Sequence, residues 1–133
     1  MKRLLPKLIV AIALALTGQA MVSTPAHAAT VQGCAGSSCT GTAGFALWNA
    51  DGDALQVCDM KPDGKSVVVL ATIDGVHKPY KWHTAGSGSN FCTDRSYGNV
   101  DEGLSIYFTV CLGDYSDGVI YESTCGYQVH GTT

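Results

Sequence analysis

The chain is poor in basic residues. It has eight lysines and arginines in 133 residues, and three of them, Lys2, Arg3 and Lys7, lie in the first seven positions. From Ala29 onward there are five bases and eleven acids, so the net charge of that part is 5 − 11 = −6. Because nucleic acids and anionic membranes are bound through basic surfaces, this shortage argues against both as partners.

The chain also lacks a long hydrophobic run. The apolar stretch Leu8–Leu16 is too short to anchor a protein in a membrane. It follows a basic start and precedes the small-residue cleavage pattern Ala26-His27-Ala28, so residues 1–28 are predicted to be a secretory signal peptide. We therefore expect a secreted, extracellular protein without membrane insertion.

Metal-binding and catalytic motifs are missing as well. The sequence contains no HExxH, no CxxC and no complete G-x-S-x-G. A calcium loop begun at Asn49 fails, because Ala54 stands where glycine is needed and Met60 where glutamate is needed. His77 and His83, six residues apart on one presumed strand, are predicted to share a face as surface histidines. The sequence thus predicts a non-enzyme with no catalytic residue, metal or cofactor.

Six cysteines are present, and all lie after the predicted signal peptide. An even number in a small exported chain predicts three disulfides, although six cysteines allow 15 pairings and the sequence does not choose among them. Cys34 and Cys39 are close enough to favour a local loop. Chain order then suggests the pairs Cys58–Cys92 and Cys111–Cys125.

Residues 29–43, ATVQGCAGSSCTGTA, have almost no apolar bulk. They are predicted to form a flexible amino-terminal arm that carries the small Cys34–Cys39 loop. One interpretation is that the loop only limits proteolysis or pins an edge strand. The other is that it presents a preformed segment to a partner, because closing the loop in advance lowers the ordering cost of binding.

Residues 44–133 are predicted to form a single β domain. Between Gly44 and Gly75 three apolar runs are separated by Asp51-Gly52, Asp63-Gly64 and Asp74-Gly75, and Asp-Gly pairs favour tight turns, so an antiparallel meander fits. Apolar and polar residues alternate in Ala54–Asp59 and Leu104–Leu112, whereas Ser66–Ile73 is almost continuously apolar, as in a central strand. The expected fold is all-β: a disulfide-stapled antiparallel β-sandwich, Ig-like, with about seven short strands.

Aromatic residues supply a candidate contact surface. Tyr80 and Trp82 lie beside the small-residue loop Ala85–Asn90, and amphipathic rings of this kind are common on recognition surfaces. With the arm they give the predicted partner-binding set Val31, Gln32, Gly33, Ala35, Gly36, Ser37, Ser38, Tyr80 and Trp82.

Two motifs carry a family resemblance: WNADGDALQVCD at residues 48–59 and PDGKSV at residues 62–67. They resemble small secreted actinobacterial β-proteins, and the chain is similar in plan to the adaptor subunit of the umbrella toxin particles of Streptomyces. The resemblance implies a non-enzymatic adaptor that links a lectin-like subunit to a large toxin-bearing subunit of an antibacterial complex. Its arm would insert into a partner. The alternatives are a secreted inhibitor of a protease or glycosidase, or a carbohydrate-binding module.

Overall fold

The computed structural model describes residues 29–88 and 91–133, so the predicted signal peptide lies outside the described residues. The described chain is all-β apart from one short 3-10 turn at Glu122–Thr124. Its strands are β1 Thr30–Cys34, β2 Gly44–Asn49, β3 Ala54–Asp59, β4 Ser66–Ile73, β5 Val76–His77, β6 Lys81–Trp82, β7 Cys92–Ser96, β8 Ser105–Asp114, β9 Val119–Tyr121 and β10 Val129–Thr132. In this part of the molecule no helix is long and apolar enough to cross a membrane.

The strands form two antiparallel sheets that pack face to face. Sheet A has the order β1-β2-β3-β7, and sheet B has the order β10-β8-β4-β5, with β6 paired to β4 and β9 to β8. This arrangement confirms the predicted all-β sandwich. The alternation of apolar residues explains it, since each sheet turns one apolar face toward the other.

The core lies between the sheets. Trp48 of sheet A is fully buried there, and its indole Nε1 donates a hydrogen bond to the Thr132 carbonyl oxygen of sheet B at 2.7 Å. Further buried side chains come from both sheets: Leu55, Val57, Val67, Val69, Ile73, Ile106, Phe108 and Val110. The alternating sides predicted for β3 and β8 are therefore confirmed.

Strand β4 has its predicted central place, between β8 on one side and β5 and β6 on the other. Val68 points to the face opposite the core and is nevertheless fully buried. It lies in register with Cys111 of β8 and Trp82 of β6. Both faces of this strand are covered there, which accounts for its continuous apolar run.

The predicted meander is wrong at its middle turn. The segment around Asp51-Gly52 joins β2 to β3 as a hairpin, and Asp74-Gly75 joins β4 to β5 in the same way. The segment around Asp63-Gly64 instead carries the chain from sheet A to sheet B. Gly64 has φ +75°, a conformation suited to glycine whether or not the flanking strands pair, so an Asp-Gly signal alone does not identify a hairpin.

The number of strands is ten rather than about seven. The single strand presumed to hold His77 and His83 is divided into β5 and β6, which flank residues 78–80. Pro79 lies in that gap and has no N–H to donate to a ladder. Strand β1 is a further addition, and the carboxy-terminal stretch holds two strands, β9 and β10, separated by the 3-10 turn.

The boundary predicted at residue 44 is also wrong, because the arm is part of the sandwich. Val31 pairs with Trp48 and Gly33 pairs with Ala46 in the antiparallel register of β1 on β2. Residues 30–34 are therefore an edge strand of sheet A, and the chain from Ala29 onward forms one domain.

All three suggested disulfides are confirmed. Cys58–Cys92 joins directly paired residues of β3 and β7. Cys111–Cys125 ties β8 to the segment after the 3-10 turn. Cys34–Cys39 closes the loop that follows β1. Three disulfides in a small domain are typical of an oxidising, extracellular environment.

Candidate protein-binding groove

The small residues of β1 allow it to approach sheet B closely. A Cβ atom added at Gly33 would lie 2.7 Å from a ring carbon of Phe108 and 3.2 Å from methyl carbons of Val110 and Val129. A Cβ at Gly126 would collide with the carbonyl oxygen of Cys34. The composition that predicted a flexible arm therefore permits tight packing, because the apolar bulk comes from the opposite sheet.

The loop after β1 is held at several points. The Ala35 N–H donates to the Gly44 carbonyl oxygen at 2.8 Å, and the Gly36 N–H donates to the Thr124 carbonyl oxygen at 2.8 Å. The Thr42 hydroxyl lies 2.8 Å from the carbonyl oxygens of both Ala35 and Gly44. Together with the Cys34–Cys39 disulfide, these contacts fix the loop against the end of the sandwich.

A shallow groove of about 180 Å³ runs between β1 with its loop and the chain just before and within β10. We call it the loop groove. Val129 and Tyr127 form its far wall, opposite Gly33. Tyr127 is 76% exposed, more than any other large hydrophobic side chain of the described residues. None of the described residues that line the groove is charged.

The backbone of β1 offers hydrogen-bonding groups to this groove. In an antiparallel pair, residues bonded to the partner strand alternate with residues whose N–H and C=O point away from it. The bond from Ala35 to Gly44 places Ala35, Gly33 and Val31 in bonded pairs. The backbone groups of Gln32 and Cys34 therefore point away from β2; because the Cys34 carbonyl oxygen lies against Gly126, those of Gln32 are the ones left to face the groove.

The predicted partner-binding residues divide into groups. Those that line the loop groove are Gln32, Gly33, Gly36, Ser37 and Ser38. Val31 and Ala35 do not line it: Val31 packs against the core, and Ala35 belongs to the core with 6% exposure. Their backbone alternation directs their side chains inward, so they are not part of the groove surface.

Tyr80 and Trp82 lie elsewhere on the molecule. Trp82 belongs to β6, which pairs with β4 on the side away from β8, whereas the loop groove lies beside β1 and β10. Trp82 packs beside Tyr115, with 5.8 Å between ring centroids, and Tyr80 is 56% exposed. We call Tyr80, Trp82 and Tyr115 the aromatic edge; it is a second surface, separate from the groove.

Tyr127 and Val129 are groove residues that the sequence interpretation missed. Their distance in sequence from Cys34 hid their closeness in space. No local sequence signal revealed them, because Cys125 pairs with Cys111 and not with a cysteine of the loop.

The prediction of two surface histidines is confirmed for His77 and wrong for His83. His77 is exposed and its Nδ1 lies 3.1 Å from the Thr72 hydroxyl, whereas His83 is fully buried. The two residues do not share a face, because residues 78–80 interrupt the strand between them. Within the described residues, no group of three or more histidine, cysteine or acidic side chains is placed to hold a metal ion.

Fold and groove together define a disulfide-bonded β-sandwich with an uncharged edge groove under a fixed loop. No protein-family model matches the chain, and no curated protein or solved structure gives a significant match.

Proposed function

We propose that the protein is a secreted, non-enzymatic protein-binding module whose loop groove receives an extended segment of a partner protein. The observation that carries the proposal is the combination of an edge strand, a fixed loop and the 76% exposed Tyr127 around one uncharged groove. Exposed tyrosines are enriched at protein interfaces because they bury a large ring at little cost in conformational entropy.

The size of the groove favours a peptide segment over a small molecule. Small-molecule pockets usually have volumes of roughly 300–1,000 Å³. The loop groove, at about 180 Å³, is smaller and open. It suits one or two side chains of an extended segment that pairs with the backbone of β1, which is the recognition mode called β-augmentation.

The preformed loop reduces the cost of binding. A flexible segment loses conformational freedom when it docks, and that loss is subtracted from the interaction energy. The disulfide and the bonds from Ala35 and Gly36 order the loop before any partner arrives. Secretion fits the same proposal, since the disulfides need an oxidising environment.

A finer proposal is that the module is an adaptor between two proteins, as its resemblance to the umbrella toxin adaptor implies. An adaptor needs two separate contact surfaces. The loop groove and the aromatic edge meet that requirement, because they lie on different sides of the sandwich. We assign the groove to one partner and the aromatic edge to the other, with a lectin-like and a toxin-bearing subunit as the expected pair.

The test is a capture experiment with tagged protein added to culture supernatant of the producing organism. Tyr127→Ser and Tyr80→Ser form a matched pair, since both remove an exposed tyrosine ring, one at each surface. We expect two stoichiometric partners on the unmodified protein, with Tyr127→Ser losing one and Tyr80→Ser the other. If a single partner is captured and only Tyr127→Ser loses it, the protein is a binding module with one partner and not an adaptor. Capture unchanged by Tyr127→Ser would refute the groove.

A secreted inhibitor is the second candidate, favoured by the exposed tip of the Cys34–Cys39 loop, where Ser37 and Ser38 face solvent. An inhibitor of this kind would insert the tip into the active site of a protease or glycosidase. Residual activity of a panel of such enzymes, measured with excess protein, decides the matter. Stoichiometric inhibition that is abolished by Ser37→Arg would replace the adaptor proposal.

A further inference from the structure

Two ionisable residues, Asp59 and His83, are buried at one end of the apolar core. Asp59 ends β3 on the same side as Leu55 and Val57, so its carboxylate is directed between the sheets, and only 3% of the residue is exposed. His83, directly after β6, is fully buried, and its backbone N–H donates to the Val67 carbonyl oxygen at 2.8 Å. Burying ionisable groups costs stability, so their retention in a small core points to a role beyond folding.

The surroundings of Asp59 explain how its carboxylate is tolerated. Burial raises the pKa of Asp59, while the hydrogen bond from the Lys61 N–H and the charge of His83 act in the opposite direction. The Lys61 N–H donates to Oδ1 at 3.2 Å. The side chain is thus held in one orientation by its own turn.

A cleft of about 390 Å³ opens beside this carboxylate, between the β3–β4 turn and the chain after β6. It is larger than the loop groove and falls within the usual size range of small-molecule sites, roughly 300–1,000 Å³. Its lining residues include one acid, two lysines and three residues that carry a hydroxyl: Asp59, Lys61, Lys65, Ser66, Thr84 and Ser87.

This set of groups selects a ligand class. An ionised carboxylate only accepts hydrogen bonds, a lysine only donates them, and serine and threonine do both. A simple anion would be repelled by Asp59, and a neutral sugar would gain no charge attraction from either lysine. A ligand with adjacent hydroxyls and a negative charge satisfies all of them, since its hydroxyls donate to Asp59 and its anionic group accepts from Lys61 and Lys65.

We propose that this cleft binds a polyhydroxylated anion, a sugar acid or a sugar phosphate, with Asp59 receiving the ligand hydroxyls and Lys61 and Lys65 its charge. Lys65 is available for that task because its ion pair with Asp63 is long, 3.6 Å, and both side chains are partly exposed. The site is separate from the loop groove and does not depend on the proposed protein partner.

The experiment is a titration of the oxidised protein, followed by amide chemical shifts, with D-glucuronate and D-glucose 6-phosphate as probes. D-glucose and inorganic phosphate are the matched controls, each carrying half of the required chemistry. We expect saturable shifts confined to residues 59–66 and 84–87 with one or both probes, and much weaker ones with either control. The stronger probe tells a sugar acid from a sugar phosphate.

Three variants test the assignment of groups. Asp59→Asn keeps an acceptor for the Lys61 N–H but removes the charge, so affinity should fall about tenfold or more. Lys61→Gln changes an exposed residue and should weaken binding severalfold without affecting folding. Lys78→Gln, outside the cleft lining, should change nothing. Absence of saturable shifts, equal binding of glucose or of phosphate, or wild-type affinity in both cleft variants would overturn the proposal.

Discussion

Replacing Gly126 with alanine probes the attachment of the loop to the sandwich. The added methyl group would collide with the carbonyl oxygen of Cys34 and lie 2.9 Å from that of Gly36. Both oxygens belong to backbone that is held by the Cys34–Cys39 disulfide and by the bond from Gly36 to Thr124. These backbone oxygens cannot move aside in the way that the end of a flexible side chain can.

The size of the effect follows from the two ways in which the clash can be relieved. If the backbone stays in place, overpacking costs about 1–3 kcal/mol. If the loop lifts away, the bond from Gly36 to Thr124 breaks, which costs about 0.5–1.5 kcal/mol together with lost packing. The protein takes the cheaper route, so we expect about 1–2 kcal/mol of destabilisation. For a domain of this size that lowers Tm by roughly 4–16 °C.

The assay is denaturant unfolding followed by tryptophan fluorescence, with the disulfides intact. Gly88→Ala is the matched control, because an added Cβ there meets nothing within 4 Å and the backbone does not require glycine. We expect the control to match the unmodified protein and Gly126→Ala to unfold at lower denaturant. If Gly126→Ala is as stable as Gly88→Ala, the loop is not fixed against the sandwich, and the argument for a preformed groove fails with it.

Two further predictions concern the buried carboxylate and the disulfides. Burial raises the pKa of Asp59 above its ordinary value of 3.8. The stability that comes from burying the protonated carboxyl is therefore fully present below pH 3.8 and is lost as the pH rises through the folded-state pKa. Asp59→Asn cannot ionise, so its stability relative to the unmodified protein should rise from pH 3 to pH 7 in denaturant unfolding; a constant difference would contradict this. For the disulfides, we compare two double variants in which both cysteines are replaced by serine. Chain entropy predicts that the free energy of unfolding falls by about 4 kcal/mol for Cys58 and Cys92, which are separated by 34 residues. It predicts a fall of about 2 kcal/mol for Cys34 and Cys39, which are separated by 5. Thermal unfolding of the two double variants checks the order, and equal losses would indicate that the local loop contributes more than its closure entropy.

The fold class could be predicted because the local sequence patterns match the structure closely. The alternation in β3 and β8 reports which residues face the core, and the near-continuous apolar run of β4 reports a strand covered on both faces. The disulfide pairing could be suggested from the order of the cysteines along the chain, because each bond joins two consecutive cysteines. These features depend on nearby residues, so a single sequence suffices to predict them.

The predictions failed where the structure depends on contacts between residues that are distant in sequence. Asp63-Gly64 has the chemistry of a hairpin turn, yet whether the next strand pairs or crosses to the other sheet depends on the packing of both sheets. His83 looked like a surface residue because its burial depends on residues distant in sequence, whose packing the local pattern does not reveal. The groove was only half predicted for the same reason, since Tyr127 and Val129 reach it from the far end of the chain.

The misjudged arm has a physical explanation that bears on function. Low apolar content indicates disorder only if a segment must bury its own side chains. At β1 the apolar surface comes from Phe108, Val110 and Val129, and what β1 must supply is space. Gly33 provides this space on β1, and Gly126 provides it on the segment that faces β1. The absence of side chains at these two positions therefore allows β1 and its loop to pack against sheet B. A loop anchored in this way keeps its shape without a partner, and binding at the groove then needs little additional ordering.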